Sequence, residues 1–303
     1  MKSTAFNILR LIRSFFNESG LGKIDFVRNS YNYFFEKLRP SGMSIISLHG
    51  FVMLIDADEV GMAPQLLEKG VYEPFETNLV KDTLKPGDTV INIGANFGYY
   101  TLLAAKLVGP EGKVFAFEPE PKNFSLLEGN IKRNNIQNVE ISNQAVSNED
   151  NITLNLYTDE KNVGNPSLSE KNIPNLKGLV EVKTVTLSTF FSDRPDILKI
   201  NLIQMDTQGS EGNIIKGSTS LIEKFHPTII MEFWPYGLSN LNSEPVALLE
   251  TLEKIGYTRF VIDEKTNSLN LMSAKDIIDL CISQKKGKGF VNLLLQYEQG
   301  SSV

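Results

Sequence analysis

From Thr89 onward the chain alternates short apolar runs with amphipathic helical stretches, and this alternation constrains the fold more than any other feature. Residues 89–93 form an apolar strand that runs into Gly94, and GYYTLLAAKLVG reads as a helix stopping at Gly109-Pro110. KVFAFEP gives a second strand, PKNFSLLEGNIKRNN a second helix and VEISNQAVS a third strand. ILKINLIQMD, a helix from about residue 211 and PTIIMEF continue the series. A helix over 244–256 and two strand-like runs, YTRFVID and GFVNLLLQYE, close it. Parallel strands need long crossovers, so this order predicts an α/β fold with a doubly wound, mostly parallel sheet and helices on both faces. Residues 152–158 alternate as an edge hairpin does. The stretch 158–178, rich in Asn, Pro, Gly and Ser, reads as a long loop and a candidate substrate lid.

Residues 1–69 precede this pattern as an extension, and 70–303 make up the main domain. Ala5, Ile8, Leu9, Ile12, Phe15 and Phe16 fall on one stripe of an amphipathic helix. Residues 1–40 also carry a local charge of +4 in a chain whose net charge is −6. Such a helix either rests on an anionic membrane surface, giving residues 1–18 a peripheral contact with the inner membrane face, or docks on the protein body. Residues 44–56 predict a β-hairpin turning at His49-Gly50, followed by short helices over 59–69 and 77–84.

No apolar run approaches the roughly 20 residues of a membrane span. The acidic balance argues against a broad nucleic-acid surface. One cysteine, Cys281, and two distant histidines, His49 and His226, offer neither an internal disulfide nor a zinc cluster. A reducing, cytoplasmic setting follows as the expectation. All three are read as structural or surface residues.

In a doubly wound sheet, ligands bind beyond the carboxyl ends of the strands, where the strand order switches. The first strand ends in Asn92-Ile93-Gly94-Ala95-Asn96-Phe97-Gly98-Tyr99. A dinucleotide fingerprint starting at Gly94 needs glycines at 96 and 99, which are Asn96 and Tyr99, and no triphosphate loop is present. The turn suits a nucleoside-like ligand without phosphates. Glu118 closes the second strand, where a carboxylate can accept both ribose hydroxyls. Gln144, beside Ala145, is either an adenine contact or a plain loop amide. The fourth strand ends in Asp206-Thr207-Gln208-Gly209-Ser210-Glu211 and the fifth in Glu232-Phe233-Trp234-Pro235.

The words GVYEPFET, NIGANFGYYTLLAA, GKVFAFEPEP, NIKRNN, NQAVS, MDTQGSEGNIIKG and MEFWP occur in this order over about residues 70–236. The set resembles the FkbM-type family of S-adenosylmethionine-dependent methyltransferases. The resemblance implies a seven-stranded, Rossmann-like class I sheet and O-methylation, frequently of sugar hydroxyls in natural products or surface glycans. It implies that Asn92, Gly94, Asn96 and Gly98 form the S-adenosyl-L-methionine loop, that Glu118 holds the ribose, and that Gln144 and Ala145 flank the adenine. Asp206 would stand at the methyl-transfer centre. Asn92 departs from the family's usual Asp, and Gln208 from its common Glu.

A sugar hydroxyl is a poor nucleophile at neutral pH, so transfer to it calls for a general base or a metal. The expectation is that Asp206 orients or deprotonates the acceptor, directly or through a divalent ion that no residue pattern supports, with Glu232 next in line. Two rivals are a non-catalytic cofactor-binding scaffold of the same fold and a nicotinamide-dependent oxidoreductase. The acceptor's identity is not written in these residues.

Overall fold

The computed structural model describes residue 6 and residues 24–160, 162 and 165–298. The expected amphipathic helix over residues 1–18, and with it the question of membrane contact, lies outside the described residues apart from Phe6. Among the described residues no helix is long and apolar enough to cross a membrane. The chain divides into two compact units, Met1–Tyr72 and Glu73–Val303.

In the first unit, helix α1 (Asp25–Leu38) precedes the hairpin of β1 (Met43–Leu48) and β2 (Phe51–Asp56). His49 (φ 50°) and Gly50 (φ 78°) both take left-handed conformations at the tip, the combination a two-residue turn needs to match the strands' twist. Helix α2 spans Ala63–Lys69 rather than starting at 59. The Glu59 carboxylate accepts from Gly61, Met62 and Ala63 N–H, so residue 59 caps the helix from outside it.

The second unit opens with α3 (Pro74–Thr83), then alternates β3 (Thr89–Ile93), α4 (Tyr99–Val108), β4 (Lys113–Phe117), α5 (Pro121–Arg133) and β5 (Val139–Ser142). After an excursion through β6 (Ala145–Val146), β7 (Thr153–Asp159), β8 (Leu176–Val185) and α6 (Leu187–Ser192), the main pattern resumes. It continues with β9 (Leu202–Met205), α7 (Glu211–Phe225), β10 (Thr228–Phe233), α8 (Pro235–Ser239) and α9 (Pro245–Ile255). The last elements are β11 (Tyr257–Asp263), β12 (Ser268–Leu271), α10 (Ala274–Ser283) and β13 (Val291–Tyr297).

The main sheet has the order β12-β11-β13-β10-β9-β3-β4-β5. The five strands from β10 to β5 are parallel, while β13 pairs antiparallel with both β10 and β11, and β12 antiparallel with β11. The chain winds outward from β3 to β5 and then returns to place β9 on the other side of β3. The switch in strand order, and the crevice it creates, therefore lie between β3 and β9.

Three expectations need correction. The sheet has eight strands rather than seven, because β12 folds back antiparallel on the edge strand β11. The expected third strand is two: β5 stays in the main sheet, but β6 pairs with β8 in a three-stranded sheet ordered β6-β8-β7. Residues 158–178 are only partly loop, since β7 runs to Asp159 and β8 starts at Leu176. Between them, Asp159 accepts from the backbone N–H of Asn162 and Asn175, and a 3-10 turn covers Glu170–Asn172.

Alternation along each strand sorts the side chains by face. Ile91, Ile93, Phe115, Phe117, Ile203, Met205, Ile229, Met231 and Phe233 join Ile214, Leu221 and Leu249 in one buried cluster. Each such side chain stabilises the fold by about 1.5–3 kcal/mol through burial. The intervening residues Asn92, Gln204 and Glu232 occupy the opposite face, and it is there that the polar groups gather.

Candidate functional site

Two turns meet at the carboxyl ends of β3 and β9. Gly94 is left-handed (φ 75°), and a Cβ there would lie 2.1 Å from the backbone oxygen of Asp206. Only glycine lets the turn after β3 come this close to the end of β9. The Asp206 N–H completes the junction by donating to the Ile93 carbonyl (3.1 Å).

Asn92 lies beneath this junction and is 1% exposed. Its Nδ2 donates to Gln204 Oε1, its register partner on β9, and its Oδ1 accepts from Thr101 Oγ1 (2.6 Å). These bonds lock β3, β9 and α4 together inside the sheet. Gly98 precedes α4, and Tyr99 is fully buried there with its hydroxyl 3.0 Å from Thr77 Oγ1.

Glu118 follows β4 and is 3% exposed. Its Oε2 accepts from Asn96 N–H (2.7 Å) and its Oε1 from Glu120 N–H (2.9 Å). Asn96 itself is left-handed (φ 51°), which turns its N–H toward the carboxylate. Burial pushes the Glu118 carboxyl up to about 7, while the Glu120 and Asn96 N–H bonds pull the other way. Asn123, in the first turn of α5, stands close to this carboxyl. Its Nδ2 is buried without a hydrogen-bond partner. Gln144 is half-buried, its N–H donating to Ser142 Oγ (3.3 Å), and Ala145 is buried in β6.

Carboxyl groups crowd the other side of the crevice. Met205 pairs with Met231 in the parallel register, so the next residues, Asp206 and Glu232, emerge side by side. Gln208 spans them: its Nε2 donates to Asp206 Oδ1 (2.7 Å) and to Glu232 Oε1 (3.2 Å). On the far side Glu232 pairs in register with Asn292, whose Nδ2 donates to Glu73 Oε1 (3.1 Å) and Glu76 Oε2 (2.7 Å). Glu211, fully buried, shapes the turn by accepting from Thr207 N–H (2.9 Å), Thr207 Oγ1 (2.8 Å) and Gly209 N–H (3.1 Å).

Loss of hydration raises the pKa of every member of this group. Glu76 and Glu211 are pushed up to about 7. Asp206 is raised by burial against the Gln208 hydrogen bond. Glu232 is raised well above the carboxylate range by burial and then by the charges of Asp206, Glu211 and Glu73, with Lys285 opposing. Glu73 is raised well above it by burial, Glu76 and Asp206. The arrangement can hold protons on some carboxyls while leaving one ionised to accept another. Among the described residues no group of three or more His, Cys, Asp or Glu side chains is placed to hold a metal ion.

A family model for the methyltransferase FkbM domain matches residues 92–258, more than half of the chain. The chain belongs to the FkbM methyltransferase family. Among similar proteins, Methyltransferase 1 of Beauveria bassiana (strain ARSEF 2860) is 27% identical over 149 residues, covering 44% of this chain and 59% of that protein. The 31-O-demethyl-FK506 methyltransferase FkbM of Streptomyces tacrolimicus is 28% identical over 160 residues, covering 44% and 60%. The chain thus spans about six-tenths of the length of these relatives. The solved structure of Methyltransferase FkbM from Methylobacillus flagellatus KT aligns with a TM-score of 0.41 at 12% identity, covering 77% of this chain and 52% of that one.

The stretch matched to the FkbM domain contains every site residue anticipated from the strand ends. The structure adds groups from outside it. Glu73 and Glu76 come from the word GVYEPFET before β3, and Asn292 from β13 near the chain's end. Two acids flanking a proline just ahead of the first strand were a legible signal for the former. Asn292 carried none, because its place depends on an antiparallel register 60 residues beyond Glu232.

Proposed function

We propose that this chain transfers a methyl group from S-adenosyl-L-methionine to a hydroxyl of a sugar or other polyhydroxyl natural-product acceptor. The observation that carries the reading is the pairing of Glu118 with Asn123 beside the β3 turn. An ionised carboxylate has about four acceptor positions. Two are used by backbone N–H groups, which leaves two for a ribose diol, and the orphaned Asn123 Nδ2 is a donor awaiting an oxygen. The residues present fit an adenosine group. They do not suit a dinucleotide, because Asn96 and the buried Tyr99 stand where glycines would admit a pyrophosphate.

S-adenosyl-L-methionine, when bound, supplies a sulfonium methyl as electrophile. In this reading Gly94, Asn96 and Gly98 shape the turn against it, Glu118 accepts from the ribose, and Gln144 and Ala145 border the adenine. Asn92 contributes by fixing the turn's base, its carboxamide being engaged by Gln204 and Thr101. Asp206 takes the acceptor's proton, and Glu232, held protonated beside it, orients the hydroxyl. The β7–β8 connection acts as the acceptor-side cover, since Ser167 Oγ (2.9 Å) and Asn172 Nδ2 (3.0 Å) both donate to the Gln208 carbonyl. The acceptor is a small molecule or glycan rather than a nucleic acid, and the setting is cytoplasmic.

The test is direct. Calorimetric titration should show S-adenosylhomocysteine binding and no binding of NAD. Asp206→Asn should keep that affinity while lowering methyl transfer by roughly 10²–10⁴-fold, the range of a lost general base. Wild-type turnover in that variant would remove Asp206 from the mechanism, and NAD binding in place of the adenosyl compound would overturn the reading.

A further inference from the structure

The acid-lined crevice has a basic rim, and the two lie on connected elements. Lys288 places its Nζ 4.4 Å from the Tyr236 ring centroid, and its carbonyl accepts from Trp234 Nε1 (3.2 Å). Trp234 and Tyr236 directly follow β10, two and four residues beyond Glu232. Lys171, in the 3-10 turn of the β7–β8 connection, acts electrostatically on the same Tyr236 hydroxyl. Its neighbour Asn172 is pinned to this wall, donating to Gly237 O (3.4 Å) and accepting from Asn240 Nδ2 (2.7 Å). Lys285 faces Glu232 electrostatically from the turn before β13.

Lys171, Lys285 and Lys288 are all exposed. Among the described residues no carboxylate lies within ion-pair distance of Lys171, Lys285 or Lys288. Lys171 and Lys288 together bring positive charge to the wall that carries Tyr236, a setting suited to an oxyanion.

We propose that Lys171 and Lys288, with Tyr236 between them, form an anion subsite for a phosphate or carboxylate carried by the acceptor, while the acceptor's reacting hydroxyl enters the Asp206–Glu232 crevice. The inference rests on the methyltransferase reading and narrows its substrate class to an anionic polyol. The division of labour follows from charge. Buried carboxyls repel an anion from the reacting end but accept hydroxyl protons, and the lysines capture the charged end at the mouth. Trp234 and Tyr236, with ring centroids 5.7 Å apart, provide apolar surface between the two ends.

The experiment is a binding comparison on the full chain saturated with S-adenosylhomocysteine, using glucose 1-phosphate, glucuronic acid and methyl glucoside as probes. At least one anionic probe should bind about tenfold more tightly than the neutral one, as two charge-assisted contacts at a partly exposed rim allow. Which anion is preferred separates phosphate from carboxylate. The advantage should weaken in high salt and vanish in the Lys171→Gln/Lys288→Gln double variant. Equal binding of all three probes overturns the subsite, and so does an anion preference that survives in the double variant. Failure of the methyltransferase reading itself shows separately, as absence of S-adenosylhomocysteine binding in the first titration.

Discussion

Asp206 and Glu232, leaving adjacent parallel strands, are joined by one carboxamide nitrogen, which lies 2.7 Å from the first carboxylate and 3.2 Å from the second. An Nε2 group has two hydrogens, so Gln208 can donate to both acids at once. It cannot accept a proton or repel its neighbours. A neutral bridge lets two closely placed carboxyls persist side by side.

Replacing Gln208 with Leu should therefore change the pH dependence of methyl transfer more than cofactor affinity. The hydrogen bond from Gln208 favours ionised Asp206 against desolvation. Without it the Asp206 pKa rises further, and the acidic limb of the kcat profile should move to higher pH. A profile identical to wild type would show that Asp206 is not the titrating base.

Asn123→Ala makes an opposite pair of effects in the free and liganded protein. The free protein carries an unsatisfied buried donor at this site, so its removal should leave stability within about 1 kcal/mol of wild type. Affinity for S-adenosylhomocysteine should fall by roughly tenfold, the worth of one hydrogen bond to a buried ligand. Denaturant unfolding and calorimetry read the two separately. Loss of stability with unchanged affinity would make Asn123 a packing residue.

The parts of the fold that were legible in the sequence are those decided locally. β3, α4, β4 and α5 announce themselves by period, and the His49-Gly50 turn by two residues that tolerate positive φ. The anticipated residues Gly94, Asp206 and Glu232 do converge, because parallel strands must end on the same edge. Long-range register was hidden. The run VEISNQAVS looks like one strand, yet its second half pairs with β8, some 40 residues later. Residues 197–200, ILKI, look as strand-like as Leu202–Met205 but make no ladder. Gln208 stood in the sequence as a departure from a common Glu, and only its reach across to Glu232 gives it a role.

Gly94→Ala tests the close approach that brings the two halves of the crevice together. The new methyl would sit 2.1 Å from the Asp206 carbonyl oxygen, a backbone atom that cannot swing aside. Gly109 is a fitting control: its φ is also positive (66°), but nothing lies within 4 Å of an added Cβ. Gly109→Ala should cost only the strain of a backbone conformation (φ 66°, ψ −173°) that suits glycine, about 1–3 kcal/mol, whereas Gly94→Ala adds a backbone collision and should cost more or fail to fold. Urea unfolding of both variants measures the difference. Equal losses would mean that the approach of Gly94 to β9 is relaxed in solution.

The raised carboxyl pKa values fix the sign of the stability–pH relation. Glu76, Glu118 and Glu211 titrate near 7 in the folded protein against 4.5 as the reference, mainly because burial penalises their charge. Between these values the folded state binds more protons than the unfolded state, so stability falls as pH rises. Their contribution is complete below about 4.5 and is lost as pH passes through about 7. Groups of the opposite kind, Asp150 and Asp263, lie below their usual range through hydrogen bonds from Thr186 and Thr189 and from Lys265 and Thr266. Their contribution is lost only at strongly acid pH. The Tm of the ligand-free protein should therefore be higher at pH 5 than at pH 8. Glu118→Gln should reduce that difference, because it removes one of the titrating groups while keeping the side chain's size. A Tm that climbs steadily from pH 5 to pH 8 would show that these carboxyls are ionised and hydrated in the folded state, and the enclosed acid cluster would have to be abandoned.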